Sequence, residues 1–186
     1  MKQSLIIFSG LPGTGKTTLA RWLSSKLNLP LLRVDDLVDA NPVDNPLRTE
    51  SIWPQLVASL LEQVDKQLEQ GSSVIVDSVF MGADRSLARR LARKYAINFF
   101  AIHTFCSDEE LWRARVEKRW IEYPQDDPAS WEQIIHQQED FLPWNPADAL
   151  FIDTVNPLEE NTTKVLNYIS NAGWTTPPSD QAMAYK

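Results

Sequence analysis

Residues Gly10-Leu11-Pro12-Gly13-Thr14-Gly15-Lys16-Thr17 constrain this chain more than any other stretch, because they fit G-x-x-x-x-G-K-[ST] at every fixed position. The run Ser4 to Ser9 before them is short, apolar and ends at Gly10, as a buried strand does. After them Leu19, Ala20, Leu23 and Leu27 recur at helical spacing from Lys16 onward. A glycine-rich turn between a strand and a helix is the setting this motif needs. Its backbone N–H groups turn inward around an anion, and the following helix points its positive end at the same place. The pattern predicts a cradle for nucleotide phosphates at Gly10, Leu11, Pro12, Gly13, Thr14, Gly15, Lys16, Thr17 and Thr18. Lys16 is expected to reach the β- and γ-phosphates, and the Thr17 hydroxyl to ligate Mg²⁺.

The rest of the chain alternates apolar strands with amphipathic helices. Strands are expected at Leu31 to Val34, Val74 to Val76 (ending at Asp77), Ile97 to Phe105 and Ala149 to Ile152. Helices are expected at Ile52 to Glu69, from an Asp84 cap to Tyr95, from a Ser107 cap to Trp120 with Glu110 completing a capping box, at Trp131 to Phe141, and at Leu158 to Ser170. This order implies an α/β fold of three layers, a five-stranded parallel sheet with helices on both faces. Ligands in such sheets sit at the strands' C-terminal ends, where Gly10, Asp35, Asp77 and Asp153 all fall. No repeat or linker divides the chain. Residues 1–174 read as one unit with a lid at about 120–140, and 175–186 as an irregular tail.

The chain has 186 residues, one cysteine and a formal net charge of −7. The charge argues against a broad nucleic-acid surface, which needs a positive field. The single Cys106 forbids an internal disulfide and reads as a buried thiol. The N-terminal apolar run is too short for a signal peptide, and no stretch nears the ~18 apolar residues of a membrane span. A cytoplasmic location and no membrane partner are therefore expected. ATP is preferred to GTP, because Asp77-Ser78-Val79-Phe80 lacks the glycine of a GTPase switch and N-K-x-D is absent. The loop Thr154 to Pro157 is the candidate reader of the base.

The stretches Val34-Asp35-Asp36-Leu37-Val38-Asp39-Ala40-Asn41-Pro42 and Val74-Ile75-Val76-Asp77-Ser78-Val79-Phe80-Met81-Gly82 resemble the chloramphenicol phosphotransferase family. That family belongs to a wider group of small P-loop kinases that includes zeta toxins, gluconate kinase and polynucleotide kinases. With Arg115, Arg119 and Ile152-Asp153-Thr154, the resemblance spans most of the chain. It implies transfer of the ATP γ-phosphoryl group to a small-molecule hydroxyl, with Asp35 as general base. Asp36 is a rival, as the second member of a pair like that of the polynucleotide kinases, although Val38 stands where those have an arginine. An ATP-hydrolysing switch module and a kinase of nucleic-acid 5′-hydroxyl ends are the alternatives.

Asp77 closes an apolar strand, as a carboxylate that holds Mg²⁺ through water or positions the acceptor does. Arg115 and Arg119 are four residues apart, hence on one helix face before the lid, where they are expected to neutralise charge on the transferring group. Arg85, Arg89 and Arg93 share another face. Most of that face reads as solvated, and only Arg85, nearest Asp77, is a candidate substrate ligand. Trp22, Trp112 and Trp120 read as packing, while Trp53, Trp131 and Trp144 lie near the expected acceptor cleft. His103 and His136 have no second ligand at metal spacing. The acceptor pocket is expected to be shaped by the segments Ala40–Ile52 and Tyr123–Phe141.

Overall fold

The computed structural model describes residues 2–39, 53–123 and 129–171. Strands β1 (Ser4–Ser9), β2 (Leu31–Arg33), β3 (Val74–Asp77), β4 (Asn98–Phe105) and β5 (Leu150–Asp153) form one sheet in the order β2-β3-β1-β4-β5, every pair parallel. The motif-bearing β1 is the central strand. It is buried along its whole length, as a strand covered on both faces must be. Helices α1 (Lys16–Leu27), α2 (Val34–Asp39), α3 (Trp53–Glu69), α4 (Gly82–Lys94), α5 (Glu109–Glu122), α6 (Trp131–Asp140) and α7 (Leu158–Asn171) complete the described chain.

The pleat of β1 sorts its side chains by face. Leu5 and Ile7 enter one core with Val57, Leu60 and Val64 of α3 and Ala88 and Ala92 of α4. Ile6 and Phe8 enter the other, with Leu19 and Leu23 of α1 and Val165 of α7. A smaller cluster of Leu11, Trp112, Val116 and Ile134 fastens α5 and α6 over the loop that follows β1. The C-terminal ends of the strands therefore open beneath a roof made by α5 and α6.

Beyond shifts of one or two residues at other ends, three boundaries differ from the sequence reading. Strand β2 stops at Arg33, and Val34 opens α2, so Asp35 and Asp36 sit in the first turn of a short helix rather than directly at a strand's end. Helix α4 begins at Gly82 after the cap position Met81; Asp84 is its third residue, and its carboxylate accepts from the Met81 N–H at 2.9 Å. Helix α5 is capped by Asp108, whose side chain accepts from the Leu111 N–H. Ser107 does not cap it, because its hydroxyl and its N–H both donate to Asp153. The segment Ala40–Ile52, the polar stretch at 124–128 and the tail from Thr175 lie outside the described residues.

Candidate functional site

The site grows from the end of β1. Gly10 has φ +141°, and a Cβ there would stand 2.3 Å from the carbonyl oxygen of Thr104 on β4. Only glycine lets the chain leave the sheet here. At Gly13, with φ +79°, a Cβ would stand 2.6 Å from Val116 Cγ2, so the loop backbone lies directly against α5. Side chains brace the loop from behind. The Thr14 hydroxyl donates to Leu11 O at 2.7 Å and lies 2.9 Å from Thr104 Oγ1, and Trp112 Nε1–H donates to Pro12 O at 2.8 Å. Groups of the protein's own thus hold the shape of an anion cradle at the N-terminus of α1.

Lys16 Nζ donates to Leu11 O at 2.9 Å, within the loop. Burial pushes this ammonium below its ordinary value, while the charges of Asp77 and then Asp35 pull it back up. The Thr17 hydroxyl donates to Asp77 Oδ2 at 2.6 Å. Asp77 ends β3, beside Phe8 of β1 in the register of the sheet, and is 4% exposed. Burial raises its pKa against the pull of Lys16 and the Thr17 hydrogen bond. A hydroxyl and a carboxylate meeting at the mouth of a phosphate cradle are the hard oxygen donors that suit Mg²⁺. The residues present therefore fit ATP·Mg²⁺.

Across the cleft, Asp35 and Asp36 take different positions. Asp35 is half-buried and lines the cleft with Lys16 and Thr17; Asp36 is exposed and lies outside it. Arg33, at the end of β2, pairs with Asp35 Oδ2 at 2.7 Å, Asp36 Oδ1 at 2.9 Å and Asp77 Oδ2 at 3.6 Å. Arg119 Nη2 reaches the same Asp35 oxygen at 3.8 Å. Burial works against the charge of Arg33, but the three carboxylates together hold its proton more firmly than usual.

The predicted arginine pair divides. Arg115 turns to the loop after β5, donating to Thr154 Oγ1 at 2.8 Å and to Thr154 O at 2.9 Å, whereas Arg119 faces Asp35. That loop is itself well tied. Asn161 on α7 donates to the carbonyls of Asp153 and Asn156, and the Thr154 N–H and hydroxyl both donate to Phe105 O. A cleft of about 1100 Å³ runs from Thr154, Val155 and Asn156 past Lys16 to Asp35, Trp53 and Met81.

Other expected residues fall elsewhere. The Arg85 guanidinium donates to the carbonyls of Phe80 and Leu142 and lies over the rings of Phe141 and Trp144; the residue does not line the cleft. Trp144 is buried, with its indole N–H donating to Ser9 Oγ, and Trp131 packs edge-on against Trp112. Of the three tryptophans expected near an acceptor cleft, only Trp53 lines the cleft. Cys106 is half-buried rather than buried, with its sulfur 3.7 Å from Arg115 Nη1. His103 is enclosed among Phe105, Phe141 and Phe151, while His136 stands exposed on α6. Among the described residues no cluster of His, Cys, Asp and Glu forms a separate metal site, and no helix is long and apolar enough to cross a membrane. Arg33 is the site residue that the sequence reading missed.

Residues 5–143 match a family described as an AAA domain. No curated protein matches the sequence significantly. Solved structures share the fold. A sugar kinase from Janibacter sp. HTCC2649 superposes with a TM-score of 0.66 at 21% identity, over 92% of this chain and 96% of that one. A gluconokinase from Sinorhizobium meliloti 1021 gives 0.68 at 18%, over 90% and 92%. The APS kinase of Mycobacterium tuberculosis, solved with AMPPNP and APS, gives 0.67 at 17%, over 91% and 98%.

Proposed function

Because the chain belongs to the AAA domain family and has the P-loop fold of these kinases, we propose that it is a phosphotransferase moving the γ-phosphoryl group of ATP to a hydroxyl of a small molecule. The observation that carries this reading is Asp35, which lines the same cleft as Lys16 and Thr17 with a single oxygen taken by both Arg33 and Arg119. A carboxylate opposite the phosphate cradle can take a proton from water or from an acceptor hydroxyl, and the kinase neighbours favour the hydroxyl. A kinase needs one to receive the acceptor's proton.

The triphosphate lies along the backbone of residues 10–18, at the N-terminus of α1. Thr17 and Asp77 would hold Mg²⁺, which would supply charge neutralisation on the phosphates. Lys16 exchanges Leu11 O for phosphate oxygens. Arg115 keeps the Thr154–Pro157 loop in place for the base. The acceptor hydroxyl lies between Asp35 and the γ-phosphorus. As its oxygen bonds to phosphorus, the bond from phosphorus to the β–γ bridging oxygen breaks and the proton passes to Asp35 Oδ1. ADP and a phosphate ester leave. Arg119, on α5 just before the lid and facing Asp35, would neutralise charge on the transferring group. The segment 120–140 acts as the lid. Trp53, Val79 and Met81 give the acceptor side apolar surface, and Gln137 and Asp140 on α6 face it from above. A cytoplasmic setting, where ATP is supplied, belongs to the same proposal.

The test is ADP release from ATP·Mg²⁺ with and without a panel of antibiotics, sugars, nucleosides and a 5′-hydroxyl oligonucleotide, with Lys16→Ala as the blank. Stimulation by one small-molecule class, with phosphate recovered on it, is the expected result. Acceptor-independent release with all phosphate free would replace this reading with the hydrolytic switch, and phosphate on the oligonucleotide would replace it with end-kinase activity. Asp35→Asn is expected to lower turnover by at least about 100-fold, with the Kd of a fluorescent ATP analogue within about threefold of the parent.

A further inference from the structure

Arg33 is the last residue of β2, and its side chain is 13% exposed. Three carboxylates surround it. Nη2 holds Asp35 and Nη1 holds Asp36, each within hydrogen-bond distance. The third nitrogen, Nε, is buried without a hydrogen-bond partner and faces Asp77 Oδ2 from 3.6 Å. This is a divided fork. Two tines fix the first turn of α2, and the base of the fork stands against the carboxylate that closes β3. Only a flat, rigid guanidinium makes all three contacts at once; an ammonium on a flexible stem is a single point of charge.

We propose that Arg33 is a positioning residue that divides the work of the three carboxylates. It holds Asp35 by Oδ2, leaving Oδ1 toward the acceptor. It uses Asp36 as the outer anchor of its plane. It also stands beside Asp77 as a resident cation that competes with Mg²⁺ for that carboxylate. The inference rests on the phosphotransferase reading for the role of Asp35, but not for the competition at Asp77.

The geometry separates this role from a purely structural one. If Arg33 only tied β2 to α2, Asp36 and Asp35 would suffice as partners, and its Nε would have no reason to be buried against the carboxylate that the Thr17 hydroxyl touches. A unit positive charge a few ångströms from Asp77, in a partly dry site, weakens that carboxylate's attraction for a divalent cation. Removing the charge should therefore tighten cation binding while it loosens Asp35. A damaged fold would weaken both.

The experiment measures Mn²⁺ binding by electron paramagnetic resonance in the presence of AMPPNP, and ADP release from ATP·Mg²⁺ with the acceptor class that stimulates the parent. Arg33→Gln is expected to bind Mn²⁺ about three- to tenfold more tightly than the parent, and to release ADP at least about tenfold more slowly. In an Asp77→Asn background the tightening should vanish, as a double-mutant cycle requires of a direct coupling. Arg33→Lys keeps the charge and loses the fork, so it should show the parent's Mn²⁺ affinity with slowed release; it also serves if the glutamine variant fails to fold. Mn²⁺ binding that is unchanged or weaker in Arg33→Gln, tightening that persists without Asp77, or parent-like release in Arg33→Lys overturns the proposal. If no acceptor class stimulates the parent above Lys16→Ala, or the parent fails to bind AMPPNP, it is the phosphotransferase reading that fails, and in the former case the Mn²⁺ measurements still decide the competition at Asp77.

Discussion

At Gly10 the chain leaves β1 so close to Thr104 that one added methyl group has nowhere to go. The neighbour is a backbone carbonyl in the next strand, which cannot rotate aside, and φ is already in the region that side chains avoid. Gly10→Ala is expected to cost at least about 2 kcal/mol of stability in urea denaturation, besides weakening nucleotide binding. The glycine was legible from the motif; its reason was not, because Thr104 is supplied by a distant strand. Arg33 was illegible for a related cause. In sequence, an arginine before Val34-Asp35-Asp36 looks like a solvated turn. Its meaning depends on Asp77, which the β2–β3 pairing brings opposite Arg33 in register. The choice between Asp35 and Asp36 was likewise open in the sequence, since both have the chemistry of a base; the first turn of α2 points one into the cleft and the other toward water.

Among the elements, strand and helix positions followed closely from apolar periodicity, and their ends did not. Polar residues at a helix start compete for the cap, and distant partners decide the competition. Ser107 and Asp108 are equally plausible neighbours, but Asp153 claims Ser107 for the β5–α7 loop and leaves the cap to Asp108. Asp108→Ala should therefore destabilise the protein by about 1 kcal/mol, as loss of an N-cap does. Ser107→Ala should instead loosen the loop that Arg115 grips, raising the Kd for an ATP analogue more than it lowers the urea midpoint. Equal effects of the two substitutions on both measurements would show that the caps are not distinct. The same element-level reasoning explains Arg115 and Arg119. Their spacing put them on one side of α5, but side chains as long as these reach different partners, one at Thr154 and one at Asp35.

The whole molecule has a titration of its own. His103 is 5% exposed among aromatic rings, and burial, followed by the nearby charges of Arg85 and Lys16, pushes its pKa down to about 4 from 6.5. The native state thus resists a proton that the unfolded chain accepts readily. Below about pH 6.5 the unfolded state binds more protons, so the contribution to stability falls as pH falls toward 4. From pH 7 to pH 5 this amounts to a loss of about 2 kcal/mol. His103→Phe keeps a ring in the stack, and its stability measured at the two pH values should fall by correspondingly less. A parallel fall in both proteins would refute the assignment. The sheet order has a different kind of consequence. The groups proposed to hold phosphate lie at the end of the central strand and its immediate neighbours, while those proposed to face the acceptor come from the start of α3 and from α6. Descendants of such a gene are free to rewrite those two segments, and so change what is recognised, while the inherited phosphate-binding centre stays as it is.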